Sequence, residues 1–401
     1  MSAPLRALFF SHDRRGLGHL RRTLALADLL LDHSPQSVAL IVTGSRMAHA
    51  FRTRPRLDYV KLPSITRGAD GHLLPSSLNL PVEEVLAMRE ELLLQTTRSF
   101  RPDVFLVDSP PLAGNDEVAS TIAHIRGSLP RTAIILNFRD ILDDPTRVAE
   151  SWGQHSVLEA MAKGYDLILV HGSQRVYNFP EQYRFNDELR EKTFFCGYVP
   201  YTLDATPSDV IRQRVGAVDR KLLVVTVGGG SDGILLIERC LAGVSSSTEL
   251  LDLHTVVIMG SDMSLPDSAS LRARYSGHSN IVLIDFVQST EAYLAAADVI
   301  VSMGGYNTLS EIVALKKSAI VVPRLSGSTE QFIRASRFAE LGLLTMLHPE
   351  EATPERIAAL VLRSLRESLA PSEHLERSNG ATFSRMIEDV AASRACREGC
   401  V

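Results

Sequence analysis

Cysteine is scarce in this chain: four residues in 401 make no disulfide framework, so the expected setting is cytoplasmic, with peripheral contact at the inner membrane face compatible. Cys396 and Cys400 lie close together at the end, but two thiols without a histidine nearby are a poor metal site. No metal and no cofactor is expected. No apolar run approaches the roughly 20 residues that span a bilayer, which excludes an integral membrane segment. The stretch from Met1 to Arg6 leads straight into an apolar run, without the longer core and cleavage site of a signal peptide. A basic excess is also missing: 42 basic against 47 acidic residues give a net charge of −5, which argues against a nucleic-acid partner. No short-period repeat and no low-complexity tract is present. What is left is an ordinary soluble composition, 45% hydrophobic and 22% charged, in a chain that fits two domains of about 150 to 200 residues each.

Apolar runs alternate with helical stretches from the start. Strands are expected at 5–10, 38–43, 57–62, 103–107, 132–137 and 166–170, and helices at 19–32, 82–99, 115–126 and 147–163. This βα alternation implies a parallel, doubly wound sheet. The stretch "YVPYTLDATPSDVIRQRVGAVDR" reads as a linker near residue 200, with scattered prolines and no sustained strand. Beyond it the alternation restarts, with strands at 222–227, 255–259, 281–284, 299–302 and 319–322. The fold class is thus α/β, two Rossmann-like doubly wound domains facing across a cleft. Residues 1–199 form the N-terminal domain, 200–375 the C-terminal domain and 376–401 a packing helix and tail. The segment "RGADGHLLPSSLNLP", 67–81, reads as a long mobile loop of the kind that shapes ligand choice.

Ligands of open parallel sheets bind beyond the carboxyl ends of strands, and several such ends carry suitable groups. In "SHDRRGLGHLRR", Gly16 and Gly18 allow a tight turn and His19 sits at the helix entry, where an imidazole can take a proton from a hydroxyl or water. A histidine that only packs the turn is the plainer alternative. In "VTVGGGSDG", Gly229, Gly230 and Ser231 form a nest for phosphate oxygens, without the Lys-Ser/Thr ending of a nucleoside triphosphatase loop. In "SMGGYNTLSEIVALKKSAIVVPR", Gly304 and Gly305 open a helix that carries Glu311, a carboxylate able to hold both ribose hydroxyls. In "GSTEQFIRA", Glu330 and Gln331 offer groups for sugar hydroxyls, although helix starts also favour such residues for capping. Asp108, ending "DVFLVD", could orient His19 or touch the acceptor. Arg139, Asp140 and His171 end strands too and are as well explained by structure.

Together these residues resemble the GT-B glycosyltransferases, in particular the group around the peptidoglycan transferase that adds N-acetylglucosamine to a lipid-linked muramyl pentapeptide, with a family 28-like C-terminal domain. The resemblance is strongest over about 281–342, in "NIVLIDFVQSTEAYLAAADVIVSMGGYNTLSEIVALKKSAIVVPR" followed by "EQFIRASRFAELGL". It implies that Phe286 and Val287 flank the nucleotide base, that Gly304, Gly305, Asn307 and Thr308 line the diphosphate, and that Glu311 holds the ribose. It further implies that Glu330 and Gln331 reach the donor sugar and that Gly229, Gly230 and Ser231 match the phosphate loop. "GLGHLRR" matches the His-bearing loop of these enzymes, and its Gly-x-Gly-His-x-x-Arg form also looks like the UDP-sugar hydrolase of pseudaminic acid synthesis. A further glycine pair before the histidine is absent.

The resulting expectation is an inverting, metal-independent glycosyltransferase that takes a nucleotide-diphosphate sugar, UDP-linked by preference, with His19 as general base and Asp108 beside it. Departing diphosphate is stabilised by two glycine-rich helix starts. The acceptor is a sugar, a lipid-linked sugar or a natural product; the sequence does not choose among them. The rivals are a hydrolase of the same fold using water, a non-hydrolysing UDP-N-acetylglucosamine 2-epimerase, whose sugar-facing carboxylates have no counterpart here, and a noncatalytic sugar-nucleotide-binding protein.

Overall fold

The computed structural model describes residues 4–13, 18–51, 54–68, 72–108, 110–111, 117–154, 157–199, 206–367, 375 and 377–396. Two compact units divide the chain, Met1–Val199 with Glu376–Val401, and Pro200–Leu375.

The strands of the first unit are β1 (Arg6–Ser11), β2 (Val38–Thr43), β3 (Leu57–Lys61), β4 (Ile65–Arg67), β5 (Leu73–Pro75), β6 (Val104–Asp108), β7 (Ala133–Arg139), β8 (Leu167–His171) and β9 (Thr193–Phe195). Seven of them form one parallel sheet in the order β3-β2-β1-β6-β7-β8-β9. Its central strands are near-continuous apolar runs, such as Val104-Phe105-Leu106-Val107, because helices cover both faces of such a sheet. Strand order reverses between β1 and β6, and a crevice at such a switch point is where doubly wound sheets hold ligands. His19 follows β1 and Asp108 ends β6, so both stand at the reversal.

The second unit repeats the plan with β10 (Leu222–Thr226), β11 (His254–Ile258), β12 (Ile281–Ile284), β13 (Val299–Ser302), β14 (Ala319–Val321) and β15 (Thr345–Met346). These are parallel in the order β12-β11-β10-β13-β14-β15, so the reversal falls between β10 and β13. The two glycine-rich loops, 227–233 and 303–305, follow those two strands. Val225, Val257, Ile237, Leu241, Val301 and Ile357 are fully buried at the centre of this unit's core.

The C-terminal helix Gly380–Cys396 belongs to the first unit and packs on the helix Gly18–His33. Phe383, Ile387 and Ala391, spaced one helical turn apart, are its buried face, and burying the two larger ones contributes roughly 1.5–3 kcal/mol each. Arg394 then fastens the helix end by donating to Asp166 through Nε and Nη2.

Three expectations need correction. Within 67–81 lies part of an antiparallel hairpin, β4 with β5, where a loop is expected; its three-residue strands are too short to give a periodic signal. The linker near residue 200 contains a helix, Ser208–Val215, whose eight residues carry only two buried positions, Ile211 and Val215. The helix expected at 147–163 is two, Pro145–Gln154 and Val157–Gly164.

Candidate active site

At the switch point of the first sheet, three side chains form one network. Asp108 is buried, and its two carboxylate oxygens are divided between two partners. Oδ1 accepts from Arg22 Nε at 3.1 Å and Nη2 at 2.6 Å; Oδ2 lies 2.5 Å from His19 Nδ1. His19 and Arg22 share a face because they are three residues apart in one helix. Arg22 Nη2 also approaches His19 Nδ1 at 3.2 Å, but the shorter contact with a carboxylate assigns the ring proton: Nδ1–H donates to Asp108, and Nε2 keeps its lone pair. Burial alone raises the Asp108 carboxyl, but Arg22 and His19 outweigh it and hold the group below the ordinary range. The result is an ionised carboxylate behind an imidazole whose side chain is 22% exposed. Such an imidazole can accept a proton from a hydroxyl at Nε2 while Asp108 stabilises the cation that forms. Gly18 is the first residue of that helix. His12 stands edge-on to His19 with ring centroids 5.8 Å apart. Beside it Asp13 is fully enclosed, accepts from Thr43 Oγ1, and is raised above the usual carboxyl range by burial.

At the switch point of the second sheet the groups on offer are mostly backbone. Gly230 adopts φ +96° against the loop after β11, where an added Cβ would stand 2.2 Å from the Met259 carbonyl oxygen. Gly229 O accepts from Asp262 N–H at 2.7 Å, and Ser231 is exposed. Gly304 takes φ +86°, and Gly305 is the residue before the helix Tyr306–Ala314. Asn307 and Thr308 lie in that helix's first turn, and Glu311 in its second turn is 2% exposed. Phe286 and Val287 are half-buried in the loop after β12. Glu330 and Gln331 open the helix Glu330–Glu340, and both are engaged. Arg334 Nη2 lies 3.4 Å from Glu330 Oε2 and Arg324 Nη2 lies 3.6 Å from Oε1, while Gln331 Oε1 accepts from Arg324 N–H at 3.3 Å. Arg334 is wholly buried; its Nη1 donates to Gly304 O at 3.3 Å and its guanidinium lies 5.6 Å from the Tyr306 ring centre.

The structure therefore brings His19 and Asp108 into contact, and groups the glycine loops with the openings of two helices at one edge of the second sheet. The other strand-end candidates are spent on structure. Arg139 donates to the carbonyls of Ile141 and Leu142, and Asp140 accepts from Ile141 N–H and Tyr198 OH. His171 is buried against Asn137 and pushed down to about 3 by burial, so it stays neutral. Among the described residues no three His, Cys, Asp or Glu side chains group closely enough to hold a metal ion. Sequence reasoning misses the arginines. Arg22 closes the Gly-x-Gly-His-x-x-Arg form of the loop but carries no role in the sequence reading, and Arg334 is signalled by its i+4 spacing from Glu330 on a face otherwise buried.

Two doubly wound units with these switch-point sites define the GT-B class of fold, and the solved structures agree. A glycotransferase of kitacinnamycin matches at TM-score 0.59 with 18% identity, covering 99% of each chain. A putative UDP-N-acetylglucosamine 2-epimerase from Listeria monocytogenes matches at TM-score 0.65 with 14% identity, covering 99% of this chain and 97% of that one. Within that class, residues 224–390 match the glycosyltransferase family 28 C-terminal domain. A UDP-N-acetylglucosamine–N-acetylmuramyl-(pentapeptide) pyrophosphoryl-undecaprenol N-acetylglucosamine transferase from Corynebacterium efficiens is 28% identical over 189 residues, 47% of this chain and 48% of its own. The chain spans about half the length of the curated relatives it matches.

Proposed function

We propose that the protein is a glycosyltransferase that moves a sugar from a nucleotide-diphosphate donor, UDP-linked as first choice, to an acceptor hydroxyl with inversion at the anomeric carbon. The observation that carries the reading is His19 Nδ1 at 2.5 Å from an Asp108 carboxylate that Arg22 holds ionised. His19 Nε2 takes the acceptor proton as the acceptor oxygen bonds to the anomeric carbon. The bond from that carbon to the diphosphate breaks on the opposite side, its electron pair leaving with the phosphate oxygen. The second unit is assigned the donor: Glu311 the ribose, Phe286 and Val287 the base, the loops at Gly229–Ser231 and Gly304–Gly305 the diphosphate, and Glu330 with Gln331 the sugar. No metal is assigned to the reaction. The match to a transferase of lipid-linked muramyl pentapeptide favours a lipid-linked acceptor, and among the described residues no helix is long and apolar enough to cross a membrane.

The test is calorimetry of the full chain against UDP, dTDP, GDP and CDP without added metal, comparing wild type with Glu311→Ala. Tight binding of one nucleotide that weakens at least tenfold in the variant is the expected result. Absence of binding by all four overturns the donor assignment.

A further inference from the structure

A diphosphate carries at least two negative charges, and most of what the second sheet offers it is uncharged backbone. The loops that follow β10 to β14 are 227–233, 259–264, 285–289, 303–305 and 322–329. Their ionisable side chains are Asp232, Asp262, Asp285 and one cation, Arg324. That cation leans onto the glycine loop: Arg324 Nη1 donates to Asp232 Oδ2 at 3.0 Å, directly beside Ser231. Its backbone N–H holds Gln331, and its Nη2 lies 3.6 Å from Glu330, so the same residue touches the groups assigned to the sugar. Arg324 Nε is enclosed and has no hydrogen-bond partner, although the side chain as a whole is 25% exposed. One donor of the guanidinium fork is thus unused while Nη1 and Nη2 face carboxylates on either side.

The geometry points to Arg324 as the cation that binds the donor's diphosphate and stabilises it as the leaving group, with Asp232 as its counter-ion while the site is empty. This rests on the donor reading of the second unit. When the bond between the anomeric carbon and the diphosphate breaks, the electron pair moves onto the phosphate oxygen, and Arg324 stays protonated beside the added charge; the only proton transferred is the acceptor's, to His19. An arginine suits the task because its planar fork meets two phosphate oxygens at once and stays charged at any working pH. Asp232 keeps the guanidinium at the glycine loop, and a diphosphate, with more charge than a single carboxylate, displaces it.

The test separates the terminal phosphate from the rest of the nucleotide. UDP and UMP, and likewise the dTDP, GDP and CDP pairs, are titrated into the full chain for wild type, Arg324→Gln, Arg324→Lys and Asp232→Asn, each checked for an unchanged melting profile. For the nucleotide that binds, Arg324→Gln lowers diphosphate affinity about 10- to 100-fold and monophosphate affinity far less, and Arg324→Lys recovers part of the loss. Asp232→Asn leaves diphosphate affinity unchanged or raises it, since it removes the competing anion. If Arg324 merely braces the glycine loop through Asp232, Asp232→Asn reproduces the Arg324→Gln loss, and the proposal falls. It falls as well if Arg324→Gln weakens diphosphate and monophosphate equally or leaves both unchanged while wild type binds. No binding of any nucleotide by wild type overturns the donor reading together with this one.

Discussion

The two units share one topology but furnish their switch points differently. In the first, the crevice between β1 and β6 holds a network of charged side chains, with Arg22 and Asp108 almost wholly buried and His19 at its exposed end. In the second, the loops after β10 and β13 present glycine backbone, and among the loops after β10 to β14 a single cation, Arg324, is found. The difference follows from the chemistry assigned to each. Proton transfer needs one nitrogen held in one tautomer, which takes side chains that fix each other. A diphosphate is spread over many oxygens and is met by many N–H groups, which takes loops without side chains in the way. The first site is accordingly fragile to loss of charge and the second to gain of bulk.

The largest effect is expected where charge is removed from the first site. Asp108→Asn removes the negative member of a buried ion pair with Arg22 and costs about 3–5 kcal/mol in a thermal or urea melt. It also lowers turnover by at least about 100-fold, because His19 loses the partner that orients it. The pH dependence has a definite sign. The folded carboxyl titrates below its ordinary 3.8, so as pH falls the unfolded chain takes up the proton first. The stability gap between wild type and variant is complete above about pH 5 and closes as the pH drops through the depressed folded value. A gap that widens on acidification contradicts the pairing.

Bulk added to the second site comes next. Gly230→Val places a Cβ 2.2 Å from the Met259 carbonyl oxygen on a backbone with φ +96°, and is expected to cost about 3 kcal/mol. For a unit of this size that is a fall of roughly 6–12 °C in the melting temperature. A variant that melts with wild type shows that the loop can move aside. A smaller effect of opposite sign is expected at Asp13, the second carboxyl of the first site. Burial raises it, so the folded state binds the proton more tightly than the unfolded chain, and its ionisation erodes stability as pH rises above 3.8. Asp13→Asn therefore raises the melting temperature at pH 7, and the gain disappears below pH 3.8. Equal gains at both pH values would show that burial of the charge is not the cause. The smallest change is at the surface pair Lys163 and Glu159, where Lys163→Ala leaves the melting profile unchanged. A measurable loss there would put stability in exposed charges rather than in the buried network.

Much of this was legible in the sequence, and the parts that were not share a reason. The central strands announce themselves because both faces are buried, so Val104–Val107, Leu222–Val225 and Val299–Val301 appear as unbroken apolar runs. His19 and the glycine loops are visible because they interrupt the pattern at strand ends. The short strands β4, β5, β9 and β15 carry two or three residues each, below the length at which a period can be read. The arginines escape for a different reason. A buried Arg334 is indistinguishable in a helical pattern from a solvated one until Gly304 O, Glu330 and Tyr306 are seen around it, and those lie 4 to 30 positions away in the chain. Asp108 is marked by its strand end, but that its two oxygens are shared between His19 and Arg22 depends on how β1 and β6 pair, which local sequence does not encode.

The central claim is that His19 accepts the proton in sugar transfer. The direct measurement is release of nucleoside diphosphate from a panel of nucleotide sugars by wild type and His19→Ala, with nucleotide affinity measured on the same samples. Release abolished while affinity is kept is the predicted result; release at the wild-type rate by the variant would contradict it.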